Sequence, residues 1–326
     1  MENNKAVLLY NKVSENPTID ERDVLDQMES IGEALTELGY HIVEVPFSIN
    51  IMDAINQLRE INPAFVFNLV ESFDGSNELQ SIGAMILHHL KIPYTGASHE
   101  SLFLSTNKLL AKRIMHEAGI NTPEWFMMQD INKLNPEYKY IIKPIAEDGS
   151  VNLDEHSVFD GNDQEYINAI RNHNPSEYFI EQYIDGREFN ISVMGTKFNP
   201  KVMPAAEIIF EGYPDDKPKV VGYKAKWIED SYEYDHTPRH FEFQESDTPL
   251  LDELRKITVE CWNVFELKGY ARVDIRVDKN NVPYIIEING NPCINVYSGF
   301  SVAVNQSGLS YKEMISTIVN EALHRN

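Results

Sequence analysis

ARVDIRVDKNNVPYIIEINGNP, residues 271–292, reads as two strands joined by a turn at 278–281. Alternation places Val273, Ile275 and Val277 on one face of the first strand and Arg272, Asp274 and Arg276 on the other. On the returning strand the same rule sends Ile286 and Ile288 one way, Glu287 and Asn289 the other. The two polar faces can converge and gather carboxylate and amide oxygens beside an arginine. Hard oxygen ligands of this kind suit Mg²⁺, which takes a few carboxylates plus substrate phosphates. From the pattern alone, an exposed hairpin face laced with salt bridges reads equally well.

Outward from this hairpin the chain changes character twice. Just upstream, Leu250, Leu254, Ile257, Cys261 and Phe265 recur on one helical face, and a last helix starts at Ser310. The first hundred residues alternate strand and helix: KAVLLYN, a helix carrying Val24, Met28, Ile31, Leu35 and Leu38, then HIVEVPF, AFVFNLVE, the helix NELQSIGAMILHHL and the extended KIPYTG. Thr18 and Glu21 have capping-box spacing at the first helix, with Asp20 as an alternative cap. Such alternation predicts a parallel sheet covered by helices. A helix from Thr106 to Gly119 carries Lys108 and Lys112, and the extended segments YKYIIKP, HSVF, YFIEQYI and FNISVMG follow, interrupted by one helix near 163–171. The fold class is thus α/β followed by α+β, divided as 1–100, 101–185 and 186–326. Residues 205–248 are rich in charge, proline and tyrosine with little periodicity, and a loop that long in a compact domain is functional or disordered.

Composition narrows the function classes. The 326 residues carry a formal charge of −23, which repels nucleic acid. No apolar run approaches the ~18 residues that span a membrane. The opening stretch MENNKAVLLYNKV lacks a long apolar core and reads as a strand, so a cytoplasmic location is expected. The two cysteines, Cys261 and Cys293, offer no disulfide framework or zinc spacing. No G-x-S-x-G elbow, P-loop or G-x-G-x-x-G fingerprint is present. His236 and His240 have metal-like spacing, but Pro238 between them argues against a shared helix face. Lys143 ends a strand before the turn-like EDGS, where it is placed to hold a phosphate, and Lys108 sits on a helix among other polar residues; surface lysines are far commoner than either role.

Taken in order, these pieces resemble the ATP-grasp superfamily, and within it the D-alanine–D-alanine ligase group. The resemblance runs through DERDVLDQ around Glu21, IPYTG, LSTNK at Lys108, IIKP at Lys143, FIEQYIDGREFNISVMG, YKAKW at 223–227, ARVD, IIEINGNP and Ser298. It implies a parallel-sheet domain followed by two α+β lobes that clasp ATP. It also implies an amide bond made through an acyl phosphate, on an amino acid or small peptide. Glu181, Gln182, Tyr183 and Ile184 would form the adenine hinge and Glu188 would hold the ribose. Lys108, Lys143 and Lys226 would contact phosphates. Asp274, Glu287 and Asn289 would bind two Mg²⁺ ions, or Mn²⁺ in their place, and Arg272 would stabilise the oxyanion. Glu21 and Ser150 would join Arg272 as catalytic residues, and Glu21, Asn68, Trp227 and Ser298 would line the substrate pocket. A homodimer is implied by the resemblance alone.

Departures from the group cluster on the substrate side. NKVSENPTIDE replaces a glycine-rich turn, and Asn68 stands where a histidine is frequent. Trp227 replaces the lid tyrosine, and Pro292-Cys293 replaces Pro-Gly. An indole N–H donates but never accepts, so the usual tyrosine–serine–glutamate network cannot take its ordinary shape. The reading expects ligation with D-alanine as a poor substrate. A true D-alanine–D-alanine ligase and an ATP-binding module without catalysis are the alternatives.

Overall fold

The computed structural model describes residues 3–13, 17–147 and 149–324; the side chains of Asp20 and Glu21 lie outside the described set. In the first lobe β1 (Lys5–Asn11) pairs in parallel with both β2 (His41–Phe47) and β3 (Phe65–Leu69), giving the order β2-β1-β3. The crossovers are α1 (Ile19–Glu37) and α2 (Ile51–Ile61). Val24, Met28, Ile31 and Leu35 of α1 are buried, as their spacing requires. β3 is buried along its length, as expected of a parallel strand covered on both faces. After α3 (Ser81–Leu90), Tyr94 of IPYTG adds a parallel bridge to Val66.

Two short helices lead onward. α4 (His99–Thr106) is capped by the Ser98 side chain and α5 (Lys108–Glu117) by that of Asn107. A four-stranded antiparallel sheet follows, ordered β4-β7-β5-β6, from β4 (Trp125–Met127), β5 (Lys139–Pro144), β6 (Val158–Asp160) and β7 (Tyr178–Gln182). Its helix is α6 (Gln164–Ile170), and the lobe has its own core around Tyr140, Phe159 and Ile180.

The last lobe is built on β8 (Gly186–Thr196), β9 (Asn199–Val202), β10 (Ala206–Ile208), α7 (Tyr223–Trp227), α8 (Tyr232–Asp235) and β11 (Arg239–His240). It is completed by α9 (Thr248–Val264), β12 (Gly269–Asp278), β13 (Pro283–Asn289), α10 (Gly299–Gln306) and α11 (Tyr311–Leu323). Its sheet runs β11-β10-β8-β12-β13, with β9 also on β8. The outer edge of β13 is not left open: Ile285 N donates to Asn121 O at 2.9 Å and its carbonyl accepts from Thr122 Oγ1 at 2.8 Å.

Three readings need correction. α2, α4 and α10 were missed: eight residues are too few to show a 3.6-residue period in the last two, and the crossover helix α2 was passed over between the second and third strands. Residues 205–248 are not structureless; they hold two short strands and two short helices. Ile286 does not share a face with Ile288, for the reason given below.

First and last lobes share their cores. Val7, Leu9 and Val66 join Phe189, Leu254 and Val273 in one cluster, and Ile31 and Phe67 join Tyr270 and Ile318 in another. The closest approach is between glycines. A Cβ on Gly269 would lie 2.9 Å from the Cα of Gly96, and Gly269 has φ +76°, where side chains are strained. Gly269→Ala should therefore cost about 2 kcal/mol or more and lower Tm by several degrees. An unchanged Tm in thermal unfolding would show that the two loops part without penalty.

Candidate active site

The decisive hairpin contains a β-bulge. Asp274 stands opposite Glu287, but Ile275 stands opposite Ile285, so the returning strand carries one extra residue. Ile285 and Ile288 enter the core and Ile286 is only half-buried, which overturns the simple alternation expected there. Continuing the outer register without the bulge would set Ile286 opposite Asp274. The extra residue brings Glu287 there instead.

Cations hold both carboxylates. Arg272 donates to both oxygens of Asp274, from Nε at 2.7 Å and Nη2 at 2.8 Å, and Asn190 Nδ2 donates to Asp274 Oδ1 at 2.9 Å. Lys108 Nζ lies 2.9 Å from Glu287 Oε1 and donates to the Glu147 carbonyl at 2.6 Å. Burial pushes the Glu287 carboxyl up, but Lys108, Lys226 and Arg272 together outweigh it and hold it well below the usual carboxylate range. Asn289 Oδ1 accepts from Asn291 N at 2.9 Å. Two opposed carboxylates and a nearby amide oxygen form a donor set that fits Mg²⁺ completed by phosphate and water oxygens. Among the described residues no group of three or more His, Cys, Asp and Glu side chains could hold a metal ion, so the amide and substrate oxygens are needed. His236 is stacked on Tyr232, with ring centroids 4.0 Å apart, rather than set against His240 as a ligand pair.

A second charge cluster lies in the central lobe. Glu181, 1% exposed, forms ion pairs with Lys143 at 2.5 Å and Lys112 at 2.6 Å. Burial pushes its carboxyl up, and the two lysines outweigh that and hold it below its ordinary range. The Glu181 side chain is therefore internal, and a hinge role falls to the backbone. There, Gln182 N donates to Glu124 O and Tyr183 N to Lys139 O, while the Ile184 N–H has no partner among the described residues. Sequence reading missed Arg276, which is buried on β12. Its Nε donates to Ile184 O at 3.0 Å, and its Nη1 to Glu188 Oε2 at 2.9 Å and Lys219 O at 3.0 Å. The signal was available, since Arg276 shares the polar face of Arg272 and Asp274. Lys112 had no comparable signal, because its partner Glu181 is 69 residues away by number.

The segment 205–248 docks on the turn after β5. Trp227 Nε1 donates to Gly149 O at 2.7 Å, Ser150 Oγ donates to Val221 O at 2.7 Å, and Tyr223 N donates to Leu153 O at 2.9 Å. Ser150, at φ +61°, thus meets the segment's backbone and not the indole. Lys217 lies 5.0 Å from the ring centroids of both Tyr213 and Tyr232 and pairs with Glu233 at 2.5 Å. Burial and Arg272 push the Lys226 ammonium below its ordinary range, against the pull of Glu287 and Asp274. Asn68 is sealed, 2% exposed, with its Oδ1 accepting from Val70 N at 3.4 Å. Ser298 caps α10 and its Oγ accepts from Ser301 N at 3.2 Å. Glu21, proposed from sequence for the same pocket, has its side chain outside the described residues, and Asp148 of the turn lies outside them too.

Comparison with known proteins agrees with this architecture. Residues 114–320 match the family model described as D-ala D-ala ligase C-terminus. The D-alanine–D-alanine ligase of Aquifex aeolicus is 26% identical over 305 residues, covering 92% of this chain and 96% of that protein. The solved D-alanine–D-alanine ligase of Bacillus anthracis complexed with ATP superposes with a TM-score of 0.73 at 19% identity, over 98% of this chain and 97% of that one. The VanG D-Ala:D-Ser ligase of Enterococcus faecalis gives 0.70 at 16% identity, over 98% and 100%. The fold is thus ATP-grasp. Among the described residues no helix is long and apolar enough to cross a membrane.

The buried Glu181 cluster makes a sharp test. Lys112→Met leaves that carboxylate with one cation and should cost about 3 kcal/mol at neutral pH. A depressed carboxyl stabilises the fold fully above its unfolded pKa of about 4.3 and loses that contribution as pH falls through the folded value. The gap between variant and wild type should therefore narrow on acidification. Urea unfolding at pH 7 and near pH 3.5 checks this, and a constant gap would place the cost in packing.

Proposed function

The chain belongs to the D-ala D-ala ligase family of ATP-dependent carbon–nitrogen ligases, and from that premise we propose that it joins an amino acid or small peptide to an amine through an acyl phosphate, releasing ADP and phosphate. The observation that carries the reading is the bulged hairpin, which sets Glu287 opposite Asp274 with Lys108 and Arg272 upon them.

A carboxylate is a poor electrophile, and phosphoryl transfer makes it one that an amine can attack. The protein's task is to position the reactants and offset charge. The free N–H of Ile184 suits the edge of adenine, with Gln182 and Tyr183 completing the hinge, and Glu188, braced by Arg276, suits the ribose. Lys108, Lys143 and Lys226 reach the phosphates, the first two by turning from Glu287 and Glu181. Asp274, Glu287 and Asn289 would hold Mg²⁺, two ions by family resemblance, which when bound neutralises phosphate charge. Arg272, oriented by its two bonds to Asp274, serves the oxyanion of the tetrahedral intermediate. Trp227 and Ser150 fasten the lid across the phosphate turn and keep water from the acyl phosphate. Glu21 and Asn68 belong to the substrate side, and Ser298 to the acceptor carboxylate. The setting would be cytoplasmic, with free amino acids or peptides as partners.

Glu287→Gln should lower Mg²⁺-dependent ATP turnover by about 10-fold to 100-fold and weaken the apparent Mg²⁺ affinity. Turnover and Mg²⁺ response like the wild type's would remove the metal assignment.

The D-alanine–D-alanine ligases among the relatives support a second reading, formation of that dipeptide itself. Trp227 argues against it, since its indole N–H is spent on Gly149 and offers no acceptor. With ATP, Mg²⁺ and D-alanine, the dipeptide should form slowly, and other amines or peptides should be used faster. Mass spectrometry of the products decides: efficient, D-alanine-saturable dipeptide formation unmatched by other substrates would establish the second reading.

A further inference from the structure

Lys112 is the cation of the Glu181 cluster that the proposed function leaves unused. It lies one turn beyond Lys108 on α5, is 1% exposed, and its Nζ is 2.6 Å from Glu181 Oε2. Burial pushes its ammonium below the ordinary range; Glu181 pulls the other way, and Lys143 and Lys108 add to the fall. A second bond leads out of the cluster. Lys112 Nζ donates to Thr122 Oγ1 at 2.7 Å, and that hydroxyl donates to Ile285 O at 2.8 Å. Ile285 N donates to Asn121 O at 2.9 Å, and Asn121 Nδ2 donates to Pro283 O at 2.9 Å. A hydroxyl that accepts from an ammonium is a stronger donor, so the bond to Ile285 is charge-assisted at one remove. α5 thus grips β13 on either side of the extra residue Ile286. Lys108 holds the Glu287 carboxylate, and Lys112, through Thr122, holds the Ile285 carbonyl.

A nucleotide would act differently on the two grips. On the proposed function Lys108 turns from Glu287, and Lys143 from Glu181, to meet phosphate. Glu181 is enclosed and cannot follow. A buried carboxylate stripped of both cations is strongly destabilised, so Lys112 stays with it. With Lys143 gone, a charge that repels Lys112 is gone as well. The grip on Ile285 therefore survives when the grip on Glu287 is released. It is then what keeps Ile286 bulged and Glu287 opposite Asp274, the arrangement that the metal site needs. We infer that Lys112 and Thr122 are positioning residues that hold β13 in its bulged register while the phosphate lysines turn away, and so couple nucleotide binding to Mg²⁺ binding. This rests on the ligase reading. Their action runs through the strand and requires no contact with substrate.

The test reads binding and needs no turnover. Calorimetric titration with ADP, with and without saturating Mg²⁺, gives two dissociation constants whose ratio measures the coupling. Thr122→Val keeps the side chain's shape and removes its hydroxyl. It should leave ADP binding without Mg²⁺ within about 2-fold of wild type and reduce the ratio on the order of 10-fold. Thr122→Ser, which restores the hydroxyl, should recover the ratio. Thr122→Ala serves the same comparison if the valine variant does not fold. A merely structural role would lower Tm, or weaken ADP binding alike under both conditions, and leave the ratio where it was. A folded variant without the hydroxyl that keeps the wild-type ratio would overturn the inference, and so would a serine variant as impaired as the valine one. Wild-type protein that binds no ADP under either condition would refute the ligase reading, and this inference with it.

Discussion

The site depends on balancing cations against one buried and one half-buried carboxylate before any substrate arrives. Lys112 and Lys143 meet on Glu181, and Lys108 meets Glu287 within the field of Lys226 and Arg272. Left alone, lysines so close together would repel one another and shed protons. Lys112 and Lys226 are indeed both pushed below their ordinary range, burial being the largest cause. The carboxylates act as internal counterions to the cluster. On the proposed function nucleotide phosphates would take the carboxylates' place, so binding would be an exchange of partners that requires little new organisation.

That exchange is possible because the elements bearing the charges belong to different lobes. Lys108 heads α5, Lys143 ends β5, Lys226 lies in the segment 205–248, and Glu287 is on β13. A shift of the central lobe, which has its own core, alters these distances together. The first and last lobes share cores and meet at Gly96 and Gly269, so they form the fixed half of the clasp. Arg276 joins three segments through its bonds to Ile184, Glu188 and Lys219. Removing that guanidinium would leave Glu188 buried without its cation, a larger loss than the geometry of any single contact implies.

How much of this was legible follows from the range of each interaction. Period-two and period-four patterns are local, so the parallel sheet, the α9 stripe and the outward face of Arg272 and Asp274 could be read directly. The bulge could not, because one inserted residue is invisible until a partner strand fixes the register. The Lys112–Glu181 and Arg276–Glu188 pairs join residues 69 and 88 positions apart, and composition contains no trace of them. The family motifs marked Lys108, Lys143 and Glu181 without saying that two of the three neutralise each other.

A chain of net charge −23 that handles an anionic nucleotide looks self-contradictory until the charge is divided by place. Excess carboxylates on the outside act through water and salt, where a Debye length of about 8 Å screens them. The lysines and arginines of the site are partly desolvated, and there their field is far less screened. Overall charge therefore governs which macromolecules stay away, while the few cations between the lobes govern which small anions enter. Trp227 stands beside that division, its indole N–H tying the segment 205–248 to Gly149 in the turn after β5.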